Sequence, residues 1–237
     1  MPKVRTRVNK GSYDRWLTTS SLSGLAVLGL GVPCPLAAGI AFLAWGCIFS
    51  GWLYFLGGGP RTPADGLTLL RLLILFAAVA LLVLFHAPLF ALILFTVSLL
   101  LDLVDGLLAR RHGETAWGAV YDMEGDQAWV MGIAIGIHAL HPAVAWVLIF
   151  PALKFLQVLF LKITGLPASD PKPVDGNNTR AGTVLAIVAG GLLLSLWPDL
   201  PAGLRAGILL ACLLLLSGSF LSDQRHLWKH RRKEEAL

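Results

Sequence analysis

The chain has 237 residues, of which 56% are hydrophobic and 14% charged, with a mean hydropathy of +0.73 and a formal net charge of +5. Such a composition lies outside the soluble range and reads as a polytopic membrane protein. The positive balance does not point to nucleic acid, because Lys and Arg gather at the two ends and in short connectors, the distribution that membrane topology imposes.

In chain order, Lys3, Arg5, Arg7, Lys10 and Arg15 mark residues 1–20 as a basic cytoplasmic arm. It is read as retained, since no small-residue cleavage site leads into a polar mature domain. Residues 21–60 are mostly apolar but are broken by Pro33-Cys34-Pro35, which predicts a membrane hairpin with room for a short first arm. After Arg61 come six apolar runs, 67–85, 89–108, 117–140, 143–163, 181–197 and 204–221. Each approaches the roughly 20 residues that cross a bilayer as a helix. The expectation is an all-α polytopic membrane protein with a six-helix core in a membrane domain at 61–222. The N-terminal hairpin brings the total to about eight spans, and residues 223–237 form a basic tail.

Basic connectors alternate with unbasic turns, which places both termini on the cytoplasmic side; Arg205, just past an outer turn, fits that pattern poorly. Cys34, Cys47 and Cys212 fall in apolar segments and read as small core or lipid-facing residues. His138 and His141 flank an outer turn and read as interfacial polar residues in preference to a metal pair.

The chemistry concentrates in two segments. Asp102-Leu103-Val104-Asp105-Gly106-Leu107-Leu108-Ala109-Arg110 ends one apolar run, and Gly118-Ala119-Val120-Tyr121-Asp122-Met123-Glu124-Gly125-Asp126 opens the next. Asp102 and Asp105 are three apart and Asp122 and Asp126 four apart, so each pair shares a helical face. Ionised groups at membrane depth are costly and mark function by default. Facing carboxylate pairs repel unless cations separate them, and hard divalent ions such as Mg²⁺ or Mn²⁺, which also carry phosphates, suit such oxygen-rich clusters. Gly106, Ala109 and Gly118 lack bulk and allow close approach of a nucleotide or a neighbouring backbone, while Arg110 offers a planar, permanent cation to a phosphate or carboxylate.

Together these residues resemble the signature of the CDP-alcohol phosphatidyltransferases, Asp-x-x-Asp-Gly-x-x-Ala-Arg followed by Gly-x-x-x-Asp-x-x-x-Asp. Seven residues separate Arg110 from Gly118, one fewer than is usual in that family. A weaker likeness runs from Thr62 to Arg71, including Thr68, with Asp65 where an asparagine is common. The resemblance implies an enzyme of phospholipid biosynthesis that moves a phosphatidyl group from CDP-diacylglycerol to a small alcohol and releases CMP. It implies two divalent ions on Asp102, Asp105, Asp122 and Asp126, with Asp126 as the base. CDP-lipid contacts would come from Asp105, Gly106, Ala109, Arg110, Gly118 and Thr68. It also implies an acceptor pocket lined by basic side chains, for which Arg180, Lys154 and Lys172 are candidates. A homodimer in a bacterial inner (cytoplasmic) membrane, with the active site facing the cytoplasm, is implied as well. Two alternatives stay open: a CDP-alcohol:diacylglycerol phosphotransferase with the same metal site, and a divalent-cation or small-solute transporter whose carboxylates line a pathway.

Overall fold

Prolines open four of the helical segments. In the first turn of a helix their missing N–H costs nothing, and their fixed φ suits the conformation. In the computed structural model of the protein, residues 10–59, 62–112, 116–165 and 178–234 are described, and among them all regular structure is helical. The helices are α1 (Lys10–Gly31), α2 (Pro35–Gly57), α3 (Pro63–Phe85), α4 (Pro88–His112), α5 (Ala116–Leu140), α6 (Ile149–Ile163), α7 (Asn178–Ser195) and α8 (Ala202–Glu234). A 3₁₀ segment, Pro142–Leu148, precedes α6, and Val144 there leaves helical geometry at φ −107°, ψ 35°. The run expected at 143–163 is therefore divided, with Pro151 in the first turn of its α-helical part.

The residues pack as two units. The first comprises 1–171 with 196–198, and the second 172–195 with 199–237. In the first unit, α5 is the axis: residues 127–138 are buried without a break, as in a helix covered on every side. Phe42 of α2, Leu75, Val79 and Leu82 of α3 and Phe95 of α4 are buried with it. Gln127 Nε2 donates to the Pro151 carbonyl at 2.9 Å, and Trp129 Nε1 donates to the Phe95 carbonyl at 3.3 Å. Leu73, Leu84, Phe85, Phe90, Ile93, Leu100 and Leu103 remain exposed on α3 and α4, as lipid-facing positions of a membrane protein do.

Helix α1 starts well before the apolar run because its buried face is periodic. Tyr13, Trp16, Leu17, Ser20, Ser21, Val27 and Leu28 recur at helical spacing. The Trp16 indole donates to the Phe49 carbonyl at 2.9 Å, tying α1 to α2. At the other end of α1, His138 Nε2 lies 2.9 Å from the Gly31 carbonyl, so this buried histidine satisfies a helix terminus instead of sitting at an interface.

In the second unit, α7 packs on α8 through Val188, Ala189, Leu192, Leu209 and Cys212. Arg205 is buried and its Nε donates to the Ser195 carbonyl at 3.0 Å, which gives the topologically awkward arginine a capping role at the end of α7. Across the described residues, Pro35–Gly57, Pro63–Phe85, Pro88–Asp105, Pro142–Ile163 and Ala202–Ser222 are long and apolar enough to cross a membrane.

Candidate active site

The start of α3 is fixed first. Thr62 Oγ1 accepts from the Asp65 amide at 3.1 Å and Asp65 Oδ2 accepts from the Thr62 amide at 3.0 Å, a reciprocal cap with Pro63 as the first helical residue. A carboxylate at position 65 thus has a local capping function. Beyond it, Thr68 and Arg71 lie three apart and present one face to α4. Thr68 Oγ1 donates to Asp105 Oδ2 at 3.1 Å.

Arg71 is the centre of the site. Its Nη1 contacts Asp102 Oδ1, stands 3.2 Å from Asp122 Oδ1 and 3.8 Å from Asp105 Oδ2, and its Nη2 is 3.2 Å from Asp126 Oδ1. Nη2 also donates to the Asp122 carbonyl at 3.3 Å. Two carboxylates come from the second half of α4 and two from the first half of α5. The close packing of α3 against both helices gathers them on one guanidinium. Burial is graded: the Arg71 and Asp105 side chains are 3% and 5% exposed, Asp102 and Asp126 27% and 30%, and Asp122 49%. The cluster therefore has a closed floor and an open mouth.

Gly125 makes room for that guanidinium. A Cβ built there would lie 2.6 Å from Arg71 Nη2, nearer than real Cβ contacts allow, so a side chain at this position would push the guanidinium tip away from its place between the α5 carboxylates. Neither Arg71 nor Gly125 has a role in the sequence reading. The signal for Arg71 was one charged residue beyond the first turn of a 23-residue apolar helix. Gly125 has no comparable signal, because its neighbour comes from another helix.

The donor set fits hard cations. Asp102, Asp105 and Asp122 each offer a carboxylate oxygen, and these lie within 4.8 Å of one another, close enough to share one ion. Among the described residues, Arg71 is a guanidinium that all four carboxylates share.

The other expected site residues divide. Gly118 is on α5, one turn before Asp122, and half-buried. Gly106, Ala109 and Arg110 lie in the last turns of α4, and Arg180 lies in the first turn of α7, within the second unit. Lys172 and the 113–115 part of the connector fall outside the described residues. Lys154, on α6, is engaged: its ammonium is 3.3 Å from Glu124 Oε2 and donates to the Met123 carbonyl at 3.1 Å.

No curated protein and no solved structure matches the chain. A family profile does, that of CDP-alcohol phosphatidyltransferase, over residues 61–218. The matched span covers well over half of the sequence and takes in Thr68, Arg71, the four clustered aspartates and Gly125, and on that extent the chain belongs to the CDP-alcohol phosphatidyltransferase family.

Proposed function

We propose that this protein transfers a phosphatidyl group from CDP-diacylglycerol to the hydroxyl of a small polar alcohol, with release of CMP, as a step of phospholipid biosynthesis. The observation that carries the reading is the convergence of all four signature aspartates on Arg71 at the mouth of one helix bundle. A cation pathway would place ionisable groups through the depth of several helices, whereas these gather at one level.

In this reading Asp102, Asp105, Asp122 and Asp126 hold two divalent ions, Mg²⁺ or Mn²⁺. When bound, such ions neutralise the pyrophosphate and the charge that develops on the departing nucleotide. Thr68 orients Asp105, and Arg71 keeps the carboxylates gathered while leaving them net negative. The small residues Gly106, Ala109 and Gly118 admit the nucleotide, with Arg110 as a phosphate contact. Asp126 takes the proton of the acceptor hydroxyl; that oxygen forms the new bond to the lipid-side phosphorus as the bond to CMP breaks. On the family resemblance alone, Arg180 and Lys172 are the candidates for holding the acceptor headgroup. The site faces the cytoplasm of a bacterial inner membrane, the hairpin and six-helix core span it eight times, and two copies form the working unit.

The test is CMP release by purified protein given CDP-diacylglycerol with glycerol 3-phosphate, inositol, inositol phosphate or serine, in Mg²⁺ or Mn²⁺. Turnover with one acceptor that collapses on chelation and returns with the metal is the expected result. CMP release undiminished after rigorous chelation would refute the metal site, and formation of phospholipid from diacylglycerol and a soluble CDP-alcohol would exchange the donor.

A further inference from the structure

The hairpin α1–α2 precedes the matched family region, yet it grips the acidic helix. Tyr13, 2% exposed, donates from its hydroxyl to Glu124 Oε1 at 3.1 Å. Its ring is held in place, stacked on Trp16 at 5.9 Å and edge-on to Trp117 at 6.3 Å. At the far end of the hairpin, Tyr54 stacks on Tyr121 at 4.2 Å, and its hydroxyl donates to the Asp65 carbonyl at 3.2 Å.

Glu124 is two residues from both Asp122 and Asp126, about 200° around the helix from each, so it points away from the aspartate face. Its other oxygen holds Lys154. Lys154 also donates to the Met123 carbonyl at 3.1 Å, on the same helix three residues before Asp126, so without that anion its ammonium would have the Asp126 carboxylate, about one turn along α5, as an alternative partner. A second side-chain cation among the aspartates, added to Arg71, would compete directly with a divalent ion.

We propose that the N-terminal hairpin is a working part of the metal site: Tyr13 is a positioning residue that fixes Glu124, Glu124 keeps the Lys154 ammonium off the aspartate face, and the cluster thereby retains its charge for a divalent ion. This rests on the metal reading given under Proposed function. It assigns Lys154 to charge management and places part of the site's control outside the family region.

Binding of Mn²⁺ to the purified full-length protein, read by the electron paramagnetic resonance of the free ion, tests this without substrate. Bringing one unit charge a few ångströms nearer the ion in a partly solvated site is worth about tenfold in affinity. Glu124→Gln should weaken Mn²⁺ binding by about that factor, and Tyr13→Phe, which keeps the ring packing, by a smaller one. Adding Lys154→Met to Glu124→Gln should restore wild-type affinity, since the competing cation is gone. Lys162→Met provides the structural control. Lys162 pairs with Asp14 of α1 at 2.8 Å, so its loss loosens the same hairpin without touching Glu124, and affinity should stay at the wild-type level. Unchanged affinity in Glu124→Gln, failure of Lys154→Met to restore it, or an equal loss in Lys162→Met would each overturn the proposal while leaving the metal site standing. A wild-type protein that binds no Mn²⁺ would instead overturn the metal reading, and this proposal with it.

Discussion

Among the described residues, two arginines are buried in apolar helices, Arg71 at 2% exposure and Arg205 at 5%, and they do opposite things. Arg71 meets four carboxylates drawn from two other helices, whereas Arg205 donates to the backbone carbonyl that ends α7. A guanidinium is costly to bury in either setting and must be matched by acceptors. A carbonyl partner satisfies a helix end and brings no anionic ligand with it. Carboxylate partners in excess leave a negative site that can take up a divalent ion. What surrounds the buried cation, and not its burial, separates a candidate metal site from a cap.

The sharpest way to break that contrast is at the carboxylates. Asp126→Asn should lower turnover by about 10²-fold or more, the usual scale for a general base, with little change in the KM for the CDP-lipid. Near wild-type turnover would remove Asp126 from the chemistry.

Next is the cation. Arg71→Met leaves the aspartates facing one another, and removing one partner of a buried ion network costs about 3–5 kcal/mol. The half-exposed Asp122 brings the expectation to about 2–3 kcal/mol. The metal-free variant should melt well below wild type, and Mn²⁺ should raise its midpoint by more than it raises that of wild type. Equal shifts would mean that Arg71 does not share the metal's electrostatic role.

A smaller effect is expected from Gly125→Ala, whose methyl group would press on Nη2 of Arg71; overpacking of this kind costs about 1–3 kcal/mol. Arg71→Met combined with Gly125→Ala should cost less than the two losses added, because the clash disappears with the guanidinium. Additive losses would place the strain elsewhere. The smallest change should come from Arg205→Met, about 1 kcal/mol of stability for the loss of its hydrogen bond to the Ser195 carbonyl, with Mn²⁺ affinity and CMP release unchanged. A loss of metal binding in Arg205→Met would erase the distinction between the two arginines.

The residues explain how much of this could be read beforehand. The run at 117–140 anticipated α5 almost to the residue, since apolar length and a following His141-Pro142 leave little choice of boundary. The four aspartates were readable because the spacing within each pair is local, Asp102 with Asp105 on α4 and Asp122 with Asp126 on α5, each pair about one turn apart. Arg71 was not assigned, because its partners Asp122 and Asp126 lie 51 and 55 positions away and only packing brings them together. The beginning of α1 was hidden by composition: polar Ser12, Asp14, Thr18 and Thr19 break the apolar run. The buried set Tyr13, Trp16, Leu17, Ser20 and Ser21 keeps helical period through them, but two of its members are serines. Lys154 reads as a candidate for the acceptor pocket, and its pairing with Glu124 was not legible because that residue is on another helix.

The encirclement of α5 has a consequence for how the chain is assembled. A segment carrying Asp122, Glu124 and Asp126 partitions poorly into lipid by itself, because ionised carboxylates are costly to take out of water. Synthesis runs from the N-terminus, so Tyr13 and Arg71 leave the ribosome before any of those acids does, Arg71 by 51 residues relative to Asp122. The acidic helix therefore meets its hydrogen-bond donor and its guanidinium as it arrives at the membrane. Its integration is assisted by helices already made, and a truncated chain starting at α5 would face the bilayer without them.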